Sequence, residues 1–121
     1  MTVDTNILID GLRGKSDAKR FLLSSERVFS ISVVSVTELY AGVKGSNELS
    51  ILQEFLTSFT IHGVDEEIAK IAGEYLNRYA KSHDVGIADA LIAATATQFN
   101  EQLATLNTKD FPMLPDVMRP Y

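Results

Sequence analysis

The sequence contains no cysteine and no tryptophan, and only 3 of its 121 residues are proline. Without cysteine the chain can form neither a disulfide nor a thiolate metal site, so a bound metal would be held by oxygen or imidazole ligands. The lack of disulfides is compatible with a reducing compartment, and we expect a cytoplasmic protein. A chain of 121 residues that is 45% hydrophobic predicts a single globular domain over residues 1–121.

The chain also lacks a long apolar run and a basic amino-terminal segment. Its longest apolar stretch, residues 87–99, is interrupted by Asp89, Thr95 and Thr97 and is shorter than the roughly 18 residues of a membrane span. The start, Met1-Thr-Val-Asp4, does not resemble the basic region of a signal peptide. The sequence therefore predicts a protein with no membrane partner.

Positive charge is scarce as well. There are 11 Lys and Arg against 16 Asp and Glu, which gives a net charge of −5 and a pI of about 4.9. Such a composition argues against nucleic-acid binding by bulk charge, because phosphate contacts usually need many basic side chains. It does not exclude a nuclease whose acids hold a divalent cation, since the cation reverses the local sign of charge. A local basic cluster follows the first predicted helix: Arg13, Lys15, Lys19 and Arg20.

Short apolar strands alternate with helices along the chain. The pattern predicts strands over residues 1–3, 28–34, 59–64 and 103–106, an edge strand near 117–119, and helices over 5–12, 18–24, 36–43, 46–55, 65–81 and 87–99. This alternation predicts an α/β fold with a mostly parallel sheet between two layers of helices. Ligands of such sheets bind at the carboxyl ends of the strands, so site residues are expected there.

Two acids near the first two strands have both a functional and a structural interpretation. Asp4 directly follows the first strand, and a helix N-cap would explain it equally well. Glu38 lies shortly after the second strand in Ser35-Val-Thr-Glu38. Ser35 at the N-cap and Glu38 three residues later would form a capping box. Either interpretation places both acids near the strand ends.

Asp89 is harder to explain as a structural residue. Its helix is apolar nearly all round, which predicts burial, and a buried carboxylate is destabilising unless it is paired or bound to a cation. Asn107 and Asp110 follow the last internal strand, in a polar loop that also suits a turn before Pro112. Clustered carboxylates repel one another without a cation. Hard oxygen ligands favour Mg²⁺ or Mn²⁺.

Four segments in this order resemble the PIN-domain family, in its VapC-type toxin branch: Asp4-Thr5-Asn6, Thr37-Glu38-Leu39, Ala88-Asp89-Ala-Leu-Ile and Thr105-x-Asn107-x-x-Asp110. The resemblance covers essentially the whole chain. It implies a three-layer α/β/α sandwich and a Mg²⁺-dependent endoribonuclease acting on RNA, with Mn²⁺ as an alternative metal. It also implies a homodimer, a VapB-like antitoxin as partner, and a larger toxin–antitoxin assembly. The antitoxin would bind apolar residues of the helices that follow Ser16 and Ser46.

The resemblance also implies a set of catalytic positions at the strand ends: Asp4, Glu38, Asp89, Asn107 and Asp110. The three family acids, Asp4, Glu38 and Asp89, would hold the metal. Thr5 and Asn6 are candidates for holding Asp4 or the nearby backbone by hydrogen bonds. Asn107 takes the fourth family position without a full negative charge, and Asp110 is a further acid close by.

Three alternatives share some of these features. A haloacid-dehalogenase-like phosphotransferase would use Asp4 as nucleophile and Lys109 as charge partner, but its usual Asp-x-Asp start is here Asp4-x-Asn6. A non-enzymatic receiver-like module would need paired acids after the first strand, where the sequence has Asp4 alone. A PIN scaffold kept only for protein binding is the third alternative, and the intact set of Asp4, Glu38 and Asp89 argues against it.

Overall fold

The computed structural model describes residues 1–24 and 27–121. Its five short strands are β1 (Thr2–Val3), β2 (Ser30–Ser32), β3 (Thr60–His62), β4 (Leu103–Ala104) and β5 (Val117–Met118). They form one sheet in the order β3-β2-β1-β4-β5. All four neighbouring pairs are parallel, so the described sheet is parallel throughout. The carboxyl ends of all five strands therefore lie at one edge.

Six helices connect the strands: α1 (Thr5–Leu12), α2 (Ser16–Leu22), α3 (Val33–Ala41), α4 (Ser46–Leu56), α5 (Glu66–His83) and α6 (Ile87–Gln98). A short 3₁₀ turn over Thr108–Asp110 follows β4. None of the helices described is long and apolar enough to cross a lipid bilayer. Pairs of helices alternate with the first four strands along the chain, which agrees with the predicted α/β architecture.

The hydrophobic core lies on both faces of the sheet, because successive strand residues point to opposite faces. On one face, Val3 and Ile31 pack against side chains of α1, α3 and α4. On the other face, Leu103 packs against α6 and Phe111. A further cluster joins α6 to α5. The two helix layers and the sheet between them confirm the predicted three-layer sandwich.

Helix α6 is the central helix of its layer, and small side chains allow it to lie close to its neighbours. Ala90, Ala93 and Ala94 are fully buried, and Ala96 is almost so. Alanine has the highest helix propensity and loses no side-chain entropy when buried. The helix can therefore pack against α5 on one side and the sheet on the other. This fixed position determines where Asp89, in its first turn, is presented.

The second strand and the helix after it differ from the prediction. The strand ends at Ser32 and α3 begins at Val33, whereas the β-branched residues Val33 and Val34 had favoured a strand as far as residue 34. Ser32 caps α3, since its hydroxyl accepts the Val34 N–H at 3.1 Å. The predicted capping box was therefore wrong. Ser35 lies inside α3, in its first turn, and Glu38 lies in its second turn.

The remaining boundaries differ from the predictions by a few residues. Helix α2 begins at Ser16 rather than at residue 18, with no side-chain cap, and β4 ends at Ala104 rather than at 106. The predicted edge strand near the carboxyl terminus is confirmed as β5, which pairs with β4. Beyond it, the Tyr121 hydroxyl donates to Asp10 Oδ2 at 2.8 Å. This contact holds the carboxyl-terminal segment against α1.

Candidate functional site

Four predicted acids lie at the carboxyl edge of the sheet. Asp4 stands between β1 and α1, Glu38 lies in α3, Asp89 lies in the first turn of α6, and Asp110 ends the 3₁₀ turn after β4. Their charges act on one another: Glu38 and Asp110 raise the pKa of Asp4, and all three raise the pKa of Asp89. The fold thus brings together carboxylates that are far apart in sequence.

Asp4 is held rigidly by hydrogen bonds to both carboxylate oxygens. It is 5% exposed. Its Oδ1 accepts the Thr5 N–H at 2.8 Å, and its Oδ2 accepts the Thr105 hydroxyl at 2.6 Å. Burial raises the pKa of Asp4 above its usual value, although the bonds from Thr105 and Thr5 act in the opposite direction. Asp4 is therefore both the N-cap of α1, as its structural interpretation required, and a member of the acidic cluster.

Asp89 is half-buried and lies among like charges. Burial, followed by the charges of Asp4, Asp110 and Glu38, raises the pKa of Asp89 to about 6. Every one of these influences disfavours the charged form, in contrast to the mixed influences on Asp4. A nearby cation would favour the charged form of this carboxyl group.

Glu38 is an exposed residue whose carboxylate is nevertheless anchored. Its Oε1 accepts the Thr5 hydroxyl at 2.7 Å, and the same hydroxyl oxygen lies 2.8 Å from Ser35 Oγ. Thr5 thus contacts two of the acids, because its N–H donates to Asp4 while its hydroxyl donates to Glu38. Ser35 is fully buried beside them. The sequence had suggested only a capping role for it.

Thr105 is the residue that sequence reasoning missed. It is fully buried directly after β4. Its Oγ1 donates to Asp4 and accepts from the Asn107 N–H at 3.0 Å and from Asn6 Nδ2 at 3.5 Å. These contacts use its one hydrogen and both lone pairs. A threonine directly after a strand at the acidic edge was the available signal, because that position shares the edge with Asp4.

Asn107 and Asp110 occupy different surroundings. Asn107 is exposed, and its backbone N–H donates to Thr105 Oγ1. Through this contact Asn107 orients Thr105. Asp110 is partly buried and close enough to influence the pKa values of Asp4 and Asp89. The acid of this loop, rather than its amide, therefore extends the carboxylate cluster.

The donor set fits a hydrated divalent cation. No group of three Asp, Glu or His side chains converges closely enough to hold one ion directly within residues 1–24 and 27–121. Mg²⁺ typically keeps several waters and takes one or two protein carboxylates, so the carboxylates present are ligands of the kind it uses. The mutual repulsion of Asp4 and Asp89 favours a cation between them. Asn6 Oδ1 is buried without a hydrogen-bond partner in the described part of the chain.

A groove of about 440 Å³ opens beside Glu38 between α1, α3 and α4. Its floor is apolar and includes Ile9, Leu39 and Ile51, and Arg13 and Lys44 also line it. Ile51 is 52% exposed, so the floor is accessible. The expected groove thus includes the helix that begins at Ser46. The helix that begins at Ser16 does not line it, because α1 and α3 supply the other walls.

Comparison with known proteins gives the family. The model of the family described as PIN domain matches residues 1–115. The chain belongs to the PIN-domain family. Ribonuclease VapC10 of Mycobacterium tuberculosis is 39% identical to it over 122 residues, which covers 98% of this chain and 91% of that protein. Ribonuclease VapC19 of the same species is 38% identical over 123 residues, with 98% of each chain covered.

Solved structures agree with these relatives. A chain of a toxin–antitoxin complex from Klebsiella pneumoniae superposes on this PIN domain with a TM-score of 0.86 and 32% identity, covering 99% of this chain and 97% of that one. The resemblance to VapC-type PIN domains is thereby confirmed over nearly the whole chain. A receiver-like module and a haloacid-dehalogenase-like enzyme are both outside this family.

Proposed function

We propose that this PIN domain is a metal-dependent endoribonuclease that acts as the toxin of a VapBC-type toxin–antitoxin pair. The observation that supports it best is the meeting of Asp4, Glu38, Asp89 and Asp110 at one sheet edge, where burial and mutual repulsion raise the pKa values of Asp4 and Asp89. Perturbed carboxyl groups grouped in this way are typical of catalytic sites. The relatives named as VapC ribonucleases supply the substrate class.

The acids divide into two roles in this proposal. Asp4, Asp89 and Glu38 would hold Mg²⁺, or Mn²⁺ in its place, partly through water. A bound divalent cation supplies a nucleophilic water near neutral pH and stabilises charge on the phosphoryl oxygens. Asp110, at the side of this set, would orient the attacking water and accept its proton. Thr105 and the Thr5 N–H keep Asp4 in a single orientation.

The acidic chain meets RNA through a few local cations. Arg13 and Lys44 line the groove beside Glu38, and Lys109 is the immediate neighbour of Asp110. Two members of the predicted basic cluster are already paired, since Lys15 lies 3.8 Å from Asp10 and Arg20 lies 3.4 Å from Asp17. The cations next to the acidic edge are therefore better placed for phosphate than the helix cations beyond α1.

The function is tested by incubating purified protein with total RNA in Mg²⁺ and in EDTA. We expect discrete cleavage that needs the metal and is lost in Asp4→Asn, which can still cap α1. Asp17→Asn, an exposed first-turn change on α2, is the matched control and should cleave normally. Cleavage that persists in EDTA would contradict the proposal. A trapped phospho-aspartate at Asp4 would instead support phosphotransfer.

Thr105→Val is expected to weaken Mn²⁺ binding by about 10- to 100-fold, as is usual when a residue that orients a metal ligand is lost. The change keeps the side-chain shape but removes the hydrogen that Asp4 Oδ2 accepts. Calorimetric titration of the protein with Mn²⁺ measures the effect. Thr95→Val is the matched control, because Thr95 is equally buried and bonds only a carbonyl of its own helix. Equal losses in both variants would assign Thr105 a packing role.

The antitoxin is proposed to bind in the groove beside Glu38. The enzyme itself is proposed to act as a homodimer. Ile51→Glu should weaken antitoxin binding by roughly 30-fold or more, the range for a central interface residue. Leu23→Glu, at a residue 79% exposed outside the groove, is the control. Unchanged affinity in Ile51→Glu would place the antitoxin on another surface.

A further inference from the structure

We propose that Ser35 is a positioning residue, whose hydroxyl donates to Thr5 and thereby commits the only hydroxyl proton of Thr5 to Glu38. The proposal rests on the proposed function, because Glu38 is one of the acids assigned to the site. Ser35 forms no hydrogen bond with Glu38 itself in the described structure. Its influence passes through the contact between α1 and α3.

The direction of the two hydrogen bonds follows from counting protons. Thr5 Oγ1 lies 2.7 Å from Glu38 Oε1 and 2.8 Å from Ser35 Oγ, yet it carries one hydrogen. The Glu38 carboxylate can only accept, so the Thr5 hydrogen points to Glu38. The bond between the two hydroxyls then requires Ser35 to be the donor. The resulting chain runs in one direction, from Ser35 to Thr5 to Glu38.

Ser35 behaves unlike three threonines that lie inside helices of this protein. Thr37, Thr95 and Thr97 each donate to the carbonyl four residues earlier, at 2.8–3.2 Å, which is the usual arrangement for a helical hydroxyl. Ser35 instead reaches across to Thr5, 30 residues away in sequence. It is fully buried, so water does not compete for its proton. The geometry therefore dedicates this hydroxyl to Thr5.

Glu38 needs such an anchor because it is exposed. A free glutamate side chain loses considerable rotamer entropy when it is fixed, up to about 2 kcal/mol. The Thr5 bond fixes Oε1 before any ligand arrives and leaves Oε2 available. Ser35, by occupying a lone pair of Thr5, disfavours rotation of the Thr5 hydroxyl away from Glu38. An acid prepared in this way binds a cation with a smaller entropic penalty.

The test is a double-mutant cycle between Ser35 and Glu38, read out as Mn²⁺ affinity by calorimetry on apo protein. We expect Ser35→Ala to weaken Mn²⁺ binding about 10-fold when Glu38 is present, and less than twofold in a Glu38→Ala background. Thr37→Ala, which removes another hydroxyl from α3, should change neither affinity. A loss of equal size in both backgrounds would overturn the proposal, and so would an unchanged affinity in Ser35→Ala.

Two further variants keep the proposal falsifiable if Ser35→Ala does not fold. Thr5→Val retains the shape of the side chain and removes the relay, so it should reproduce the 10-fold loss, whereas Thr5→Ser should bind Mn²⁺ as the wild type does. The reverse order of these two variants would indicate packing of the Thr5 methyl group and would overturn the proposal. Wild-type protein that binds no Mn²⁺ would instead overturn the proposed function, and this inference with it.

Discussion

Asp89→Asn is expected to abolish RNA cleavage and, at the same time, to stabilise the metal-free protein at neutral pH. Activity should fall roughly a hundredfold or more, because a metal ligand, the role proposed for Asp89, contributes several kcal/mol to transition-state stabilisation. Stability should rise because the charged Asp89 is held among like charges, with its pKa raised to about 6. An amide of the same shape is free of that repulsion.

The pH dependence of the Asp89 effect follows from the sign of the shift. The folded pKa of about 6 exceeds the ordinary value of 3.8, so the folded state holds a proton that the unfolded state has released between these values. The free energy of unfolding therefore falls as the pH rises through this window. The full destabilisation by charged Asp89 is present above pH 6. Because Asp89 is only half-buried, solvent screening reduces the penalty to about 1 kcal/mol, or a few degrees in Tm.

Thermal denaturation in EDTA at pH 4 and pH 7.5 measures this effect. We expect Asp89→Asn to melt above the wild type at pH 7.5 and together with it at pH 4. Asp17→Asn, also in the first turn of a helix but exposed, should show no comparable gain. A variant that melts well below the wild type in EDTA at pH 7.5 would mean that Asp89 is a structural residue.

Phe111→Ala is expected to be the most destabilising of the substitutions considered, by about 3–5 kcal/mol. Phe111 is 1% exposed and is the largest of the fully buried side chains. It packs against Ile92 and Leu103, beneath α6 and β4. Its removal leaves a cavity directly after Asp110, so the loop that presents this acid should also lose its position. Cleavage activity should fall even where the variant is still folded.

Urea denaturation provides the measurement, as a lower midpoint with an unchanged slope. Phe99→Ala is the control, because Phe99 is 44% exposed and mainly stacks on His62 at a centroid distance of 3.5 Å. The loss of stability in Phe99→Ala should be well below the loss in Phe111→Ala. Similar losses for the two variants would show that the cluster around Phe111 does not dominate the stability of this face.

Hydrophobic pattern predicted the layers of this fold because burial is periodic. The alternation of strands and helices, and the apolar helix carrying Asp89, follow from which residues avoid water. The boundary between β2 and α3 could not be predicted in this way, since Val33 and Val34 are apolar in either state. Tertiary packing rather than intrinsic propensity places them in a helix, and Ser32 then becomes the cap.

Only the charged residues of the candidate site could be predicted from the sequence. A carboxylate in an apolar segment is visible in sequence, whereas the partner of a hydroxyl depends on contacts that the chain makes over a long distance. Thr105 meets Asp4 across 101 residues, and Ser35 meets Thr5 across 30. Asn107 and Asp110 lie in one loop, the first directly before the 3₁₀ turn over Thr108–Asp110 and the second at its end, and only Asp110 is partly buried.

Three helices begin at the acidic edge: α1 after Asp4, α3 after Ser32, and α6 at Ile87. The aligned peptide dipoles of a helix place the equivalent of about half a positive charge at its first turn. The edge therefore carries a fixed positive field from the backbone beneath its negative side chains. That field partly offsets the cost of placing four acids together. The same backbone charge attracts the phosphates of an approaching RNA, which the acids alone would repel.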